Sequence, residues 1–237
     1  MSKVKVGIIG ATGYVGVELI RLLNAHPQVE LSAIGSNSFV DKSITEVYPS
    51  VGIGNDMKCM KNEDVIKNSD LIFTALPHGV SEEFVLQAVK EGKKVVDLGA
   101  DFRLKDEATF KEWYNVSFID KNLHEEAVYG LCEHYKDEIK NAKVIANPGC
   151  YVTSISLPLM PLLKEKLIKK EGIVADSKSG VTGAGRGLTL LSHYPEINEN
   201  MVPYKIGNHR HTPEIEQNLT DAAGEPVEII FTPILAP

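Results

Sequence analysis

Residues 10–16 read Gly-Ala-Thr-Gly-Tyr-Val-Gly, and their setting restricts the fold more than any other stretch of the chain. Before them, residues 4–9 form a short apolar run with β-branched members, suited to a buried strand. After them, residues 14–25 carry Val15, Leu19, Leu22 and Leu23 at helical spacing. A strand, a glycine turn and an amphipathic helix open a dinucleotide-binding fold. Glycine permits the tight turn and the close approach of a pyrophosphate, and the helix N-terminus offers free N–H groups and a positive dipole end. The spacing G-x-x-G-x-x-G differs from the commoner G-x-G-x-x-G without changing that physics. The expected cofactor-binding residues of the turn are therefore Gly10, Thr12, Gly13, Tyr14, Val15 and Gly16.

The next strand-like run, residues 29–34, leads into Gly35-Ser36-Asn37-Ser38 and has no acid at its end. NAD-selective sites usually place an acid there to bind the ribose hydroxyls. Ser36 and Ser38 can instead hydrogen-bond a 2′-phosphate, which makes NADP the expected cofactor. Further strands are expected at 70–75, 94–98 and 143–146, with a helix over 81–91 capped by Ser81 and carrying Glu82 and Glu83 in its first turn. Strands alternating with helices imply a parallel sheet covered on both faces.

The pattern changes after residue 150. Residues 152–167 look helical but contain Pro158 and Pro161, which predicts a kink or a late start. Residues 164–170 hold a cluster of lysines broken by Glu165, expected as the solvated face of a helix. Strands are expected at 172–177 and 227–232, a glycine-rich loop at 179–187, and a helix at 213–223 with proline in its first turn. The expected fold is α/β: a Rossmann-type doubly wound parallel sheet over 1–148, then an α+β catalytic and dimerisation domain over 149–237. That second domain stops just after a strand, as an incomplete domain does.

Charge and composition exclude several classes. The net charge is -7 and no long basic cluster occurs, so no nucleic-acid partner is expected. No apolar run approaches the ~20 residues that span a bilayer, and the N-terminus lacks a signal peptide's apolar stretch, so a cytoplasmic protein is expected. The three cysteines, Cys59, Cys132 and Cys150, are scattered and give neither a disulfide framework nor a zinc pattern. No metal site is expected.

Cys150 closes the run Asn147-Pro148-Gly149-Cys150, which follows a strand and opens a helix. A thiol at a helix N-terminus is pushed toward thiolate, the species that attacks an acyl carbon, and the nearby amides can hold the resulting oxyanion. His209 and His211 flank Arg210, and one of them can serve as a general acid near Cys150. Arg103 and Arg186 can each clamp a phosphate or carboxylate through two parallel hydrogen bonds.

Taken in order, residues 10–16, 75–79, 97–103, 127–131, 147–151, 179–186 and 209–214 resemble the N-acetyl-γ-glutamyl-phosphate reductases, of the aspartate-semialdehyde-dehydrogenase-like superfamily. The resemblance spans nearly the whole chain. It implies an enzyme of arginine biosynthesis in which Cys150 attacks N-acetylglutamyl phosphate and leaves a thioester. Hydride from NADPH then yields N-acetylglutamate semialdehyde, with His209 or His211 as acid–base. It implies that Leu76, Pro77 and His78 lie against the cofactor in a mobile loop, with Gly183 also at the cofactor. Arg103, Asn147 and Arg186 would meet the substrate, and the complete chain would form a dimer or tetramer. Cys132 stands where the family commonly has proline, and Gly99 where it more often has serine. The family also continues for roughly another hundred residues, so whether this exact chain is active is left open by the resemblance. Two other readings compete: an aspartate-semialdehyde dehydrogenase, and a non-catalytic NADP-binding redox sensor.

Overall fold

The computed structural model describes residues 2–51 and 56–237. The chain divides into two compact units. One holds the described residues up to Lys105 together with Val116–Asn147. The other holds Asp106–Asn115 and Pro148–Pro237.

The first unit begins with β1 (Val4–Ile9), α1 (Tyr14–Asn24), β2 (Val29–Gly35), α2 (Ile44–Val47), α3 (Asn62–Lys67), β3 (Leu71–Thr74), α4 (Ser81–Lys90) and β4 (Lys94–Asp97). After α5 (Glu107–Tyr114), which belongs to the second unit, the chain returns as α6 (Lys121–Glu126), β5 (Val128–Tyr129), α7 (Lys136–Asn141) and β6 (Val144–Ala146). The strands lie in the order β2-β1-β3-β4-β6-β5, and every pairing is parallel. Successive strand residues point to opposite faces, so each face acquires its own core. Ile9 packs with Ala33, Ile72, Val85, Val95 and Val144, while its neighbour Ile8 packs with Ala11, Ile20, Ile34 and Ile44. The sheet reverses its order at β1, with β2 on one side and β3 on the other. Ligands of such sheets bind at that reversal, beyond the carboxyl ends of the strands.

One cap differs from expectation. Ser81 is the first residue of α4, and the cap position is Val80, which has no side-chain bond to offer. The Asp101 carboxylate, twenty residues on, supplies it instead by accepting from the Ser81 and Glu82 N–H groups.

The second unit adds α8 (Cys150–Lys164), β7 (Ile173–Gly180), a 3₁₀ turn at Val181–Ala184, α9 (Tyr194–Ile197), β8 (Val202–Pro203), α10 (Thr212–Ala223) and β9 (Ile229–Ala236). β9 is central, parallel to β7 and antiparallel to β8. The helices α8 and α10 pack together, and α8 also packs on β7. Three expectations need correction. First, α8 starts at Cys150 and holds both prolines within it, so they do not delay its start. Second, the helix ends at Lys164 and Lys166 takes φ 54, so residues 166–170 are not the face of a helix. Third, β9 runs through Pro233, whose carbonyl accepts from Tyr204 N–H at 3.1 Å, where the sequence suggests a strand ending before it. On β7 and β9, Val174 and Ile230 are register partners and both are exposed, at 65% and 63%.

Candidate active site

The glycine turn sits where β1 meets α1. Gly10 takes φ +85, and a Cβ there would lie 2.4 Å from the Ala75 carbonyl oxygen. A Cβ on Gly16 would lie 2.3 Å from the Gly10 carbonyl oxygen. These two glycines are required by the protein's own packing. Gly13 differs: its nearest neighbour would be Gly10 oxygen at 3.6 Å, so its open side remains free for a ligand. The α1 N-terminus has no side-chain cap and no acid in its first turn. Unblocked N–H groups at a dipole's positive end fit a pyrophosphate. The Gly10 and Ala11 N–H groups donate to Gly35 carbonyl at 3.1 and 2.9 Å, which ties the turn to the end of β2. Ser36 is buried, with its hydroxyl 2.8 Å from that of Thr12, and Ser38 is exposed. Tyr14 and Val15 lie exposed on the first turn of α1.

The segment 75–79 begins with Ala75 N–H donating to Ile9 carbonyl and ends at Gly79, which takes φ +78. Leu76 and His78 are half-buried and Pro77 is exposed. The Asp101 carboxylate holds this end down: it accepts from Gly79 N–H at 2.6 Å and from the Ser81 hydroxyl at 2.9 Å. Beside it, Asp97 is fully buried and accepts from the Thr74 hydroxyl at 2.6 Å and Gly99 N–H at 3.1 Å. Burial pushes the Asp97 carboxyl up to about 6, and the Asp101 charge adds to the shift. Arg103 is also buried, and its Nη2 donates to Leu98 carbonyl at 2.8 Å. Asn147 donates its N–H to Asp97 carbonyl at 2.8 Å.

In the second unit Cys150 is the first residue of α8 and is exposed, with Gly149 in the cap position. The Gly149 N–H donates to Glu214 Oε1 at 3.1 Å, and Glu214 is itself buried in the first turn of α10. A Cβ on residue 149 would lie 2.5 Å from His211 Nε2 and 2.7 Å from Cε1. The His211 ring therefore rests directly on the backbone that precedes the thiol.

The two histidines differ. His209 is 9% exposed, and its Nδ1 accepts from His211 N–H at 3.1 Å. Burial drives its pKa down to about 4, and the neighbouring cations and His211 reinforce this. His209 is therefore neutral near pH 7, with its proton on Nε2. Its ring lies among Tyr151, Tyr204, His211 and Phe231 at centroid distances of 4.8–5.5 Å. Tyr204 donates to the Tyr151 hydroxyl at 3.3 Å, and Tyr151 donates to Ile234 carbonyl at 3.1 Å. Burial raises the Tyr204 phenol well above its ordinary value, followed by Tyr151 and by nearby Cys150.

The second unit thus gathers Cys150, His209 and His211. It also holds Gly183 and Arg186, both exposed, in and just after the 3₁₀ turn. Arg103 and Asn147 belong to the first unit. Glu214, Tyr151, Tyr204 and Asp101 are site residues that the sequence reading missed. Glu214 had a signal, standing three residues after His211 where a helix begins. Asp101 and Tyr151 lie within the resembling segments 97–103 and 147–151, but their parts were not legible because their partners are distant in sequence, and Tyr204 had no signal. Among the described residues no cluster of three or more metal-type ligands occurs, and no helix is long and apolar enough to cross a membrane.

The chain matches a family model for the semialdehyde dehydrogenase NAD binding domain over residues 5–142. It matches a second model, for the semialdehyde dehydrogenase dimerisation domain, over residues 150–237. It is 53% identical over 234 residues to an N-acetyl-gamma-glutamyl-phosphate reductase of Clostridium beijerinckii, covering 99% of this chain and 68% of that one. It is 51% identical over 236 residues to the reductase of that name from Pelotomaculum thermopropionicum, again covering 99% and 68%. Among solved structures it resembles aspartate semialdehyde dehydrogenase with NADP from Candida albicans, with a TM-score of 0.69 at 16% identity over 99% of this chain and 68% of that one. Aspartate semialdehyde dehydrogenase II from Vibrio cholerae gives a TM-score of 0.70 at 16% identity, covering 100% and 71%. At that identity the two structures speak for the fold alone.

Proposed function

The chain belongs to the N-acetyl-γ-glutamyl-phosphate reductases, oxidoreductases of arginine biosynthesis acting on an aldehyde group, and from that premise we propose that NADP is its cofactor, Cys150 its nucleophile and His211 its acid–base. The observation that carries the assignment is the seating of the His211 ring on Gly149, one residue before the thiol. The Cys150 thiolate attacks the acyl carbon of N-acetylglutamyl phosphate. The S–C bond forms, and the C–O bond to phosphate breaks with its electron pair leaving on phosphate. NADPH, when bound, would supply the hydride that reduces the resulting thioester. His211 donates a proton to the carbonyl oxygen as the hydride arrives. It removes that proton as the thiolate departs, releasing the semialdehyde.

His209 suits a supporting part, because a neutral buried imidazole whose Nδ1 already accepts from His211 N–H fixes the angle of that residue. Gly10, Thr12, Gly13, Tyr14, Val15 and Gly16 would hold the pyrophosphate side of NADP, and Ser36 and Ser38 border its 2′-phosphate. Leu76, Pro77, His78 and Gly183 would line the rest. Exposed Arg186 is suited to an anionic group of the substrate, and Arg103 and Asn147 complete the substrate set. The exposed pair Val174 and Ile230 suits a second copy of the chain, in keeping with a dimerisation domain over residues 150–237. The reading places the enzyme in the cytoplasm, where thiols stay reduced.

The test is Cys150→Ser, assayed as NADPH formation from N-acetylglutamate semialdehyde, phosphate and NADP. Turnover is expected to vanish while NADP binding persists. Retained turnover removes Cys150 as nucleophile, and activity confined to aspartate semialdehyde transfers the chain to the rival dehydrogenase.

A further inference from the structure

Thr74, Ser81, Asp97 and Asp101 are all buried at the carboxyl ends of β3 and β4 and the start of α4, and the reaction does not use them. Asp101 engages both of its oxygens. Its Oδ1 accepts from Gly79 N–H at 2.6 Å, and its Oδ2 accepts from Ser81 N–H at 3.0 Å and the Ser81 hydroxyl at 2.9 Å. Asp97 engages one. Its Oδ1 accepts from the Thr74 hydroxyl at 2.6 Å and Gly99 N–H at 3.1 Å, while its buried Oδ2 has no partner among the described residues. A Cβ on Gly99 would lie 3.0 Å from Ser81 Oγ and 3.2 Å from Asp97 Oδ2, so the hydroxyl and the vacant oxygen border the same small gap. The Ser81 hydroxyl is a hydrogen-bonding neighbour of the Asp97 carboxyl.

A serine hydroxyl has one proton to give and two lone pairs to accept with. The Ser81 proton lies on Asp101, so toward Asp97 this hydroxyl can only accept. An ionised Asp97 would then face lone pair with lone pair in a buried place, and carry the desolvation cost of an unsatisfied charged oxygen. A protonated Asp97 removes the conflict, because Oδ2–H donates to Ser81 Oγ while the Ser81 proton stays on Asp101. Ionisation reverses the arrangement: the Ser81 hydroxyl turns to Asp97, and Asp101 loses a donor. The charge that acts on Asp97 is that of Asp101. Of the elements packed about it, α4 brings Glu82, Glu83 and Lys90, the 75–79 segment brings His78, and the 98–103 loop brings Arg103, whose Nη2 donates to Leu98 carbonyl. The flanking strands β3 and β6 carry no titratable residue.

We propose that Asp97 is a positioning residue for the cofactor segment 75–79: as the neutral acid it donates from Oδ2 to Ser81, and so keeps the Ser81 hydroxyl on Asp101, the carboxylate that holds Gly79. The proposal rests on the reading that Leu76, Pro77 and His78 line the cofactor. Burial, reinforced by the Asp101 charge, raises the Asp97 carboxyl to about 6, so the relay is whole below that pH and is lost as pH rises through it.

The experiment compares wild type, Asp97→Asn and Ser81→Ala from about pH 5 to about pH 7.5, a range that spans the Asp97 transition. It reads the amide NMR shift of Gly79 and the affinity for NADP⁺ by calorimetric titration. Asparagine keeps Oδ1 as an acceptor and fixes a donor where the neutral acid carries its proton. In wild type the Gly79 amide should move with a midpoint at about 6. NADP⁺ should weaken by about tenfold relative to Asp97→Asn over the same range, the worth of one hydrogen bond to a charged group. Taking the ratio to Asp97→Asn cancels the titration of the ligand's own phosphate. Ser81→Ala, which lacks the relaying hydroxyl, should lose that pH dependence. A Gly79 amide that stays flat in wild type overturns the proposal. Full wild-type pH dependence in Ser81→Ala overturns the relay, since Asp97 would then act through its charge alone. A Gly79 amide that follows Asp97 with no change in relative NADP⁺ affinity instead overturns the placement of 75–79 against the cofactor.

Discussion

Gly149→Ala tests the catalytic geometry at its tightest point. The backbone at 149, with φ -66 and ψ 154, is open to any residue, so the substitution acts through the added methyl rather than through backbone strain. That methyl would stand 2.5 Å from His211 Nε2, where ordinary contact begins at 3.4 Å. The ring must therefore retreat by about 0.9 Å, and a misplacement of about 1 Å in a reacting constellation costs on the order of 10²-fold in rate. Alanine is also a poorer cap than glycine, which adds a stability loss of about 1 kcal/mol or less. The assay is the initial rate of NADPH formation from the semialdehyde, phosphate and NADP, beside a thermal midpoint and the rate of Cys150 alkylation. We expect kcat to fall on the order of 10²-fold while NADP binding holds. The same change made in a His211→Gln background should cost far less, since the group it displaces is already gone. A kcat within about threefold of wild type, or full additivity of the two changes, would refute the idea that this contact positions the acid–base.

The remaining expectations concern protonation. His211→Gln should flatten one limb of the rate–pH profile and lower kcat by about 10²–10⁴-fold, whereas His209→Gln should keep that limb; the opposite pattern reverses the two roles. Asp97→Asn keeps an acceptor for Thr74 and Gly99 and removes a buried charge. The wild-type carboxyl, raised from 3.8 to about 6, favours the folded state fully below pH 3.8 and loses that contribution as pH rises through 6. The variant should therefore gain stability over wild type between pH 4 and 7, by up to about 3 kcal/mol in denaturant unfolding; a pH-independent difference would contradict the shift.

Much of the first unit was legible because its signals are local. The run 4–9, the glycine turn and the i, i+4 spacing of Leu19 and Leu23 describe β1 and α1 without reference to anything distant, although Val15 and Leu22 of the same pattern turn to solvent. The thiol at a helix start was legible for the same reason, since Pro148 and Gly149 fix where α8 begins. What escaped depends on pairs far apart in sequence. Ser81 looked like its helix's cap, yet the capping oxygen comes from Asp101. His209 and His211 looked equivalent, and only their surroundings separate them: one is buried among aromatic rings, the other seated on Gly149. The lysines of 164–170 kept a helical look, but no sequence rule announces that Lys166 turns left-handed.

The helix α5 has a practical consequence for anyone who would dissect this gene. Its residues precede most of the second unit by some forty positions, yet they belong to it, with Tyr114 hydroxyl on Arg210 carbonyl at 3.4 Å and the Arg210 guanidinium over the Tyr114 ring. A fragment starting at Pro148 would encode that unit without this helix and strip Arg210 of its aromatic neighbour. A fragment ending at Asn147 would carry the helix as an orphan, with the Phe110 and Tyr114 rings laid bare to water. The two units are thus not interchangeable cassettes. A functional graft or a recombination event has to move residues 106–115 together with the later segment, or delete them from the earlier one.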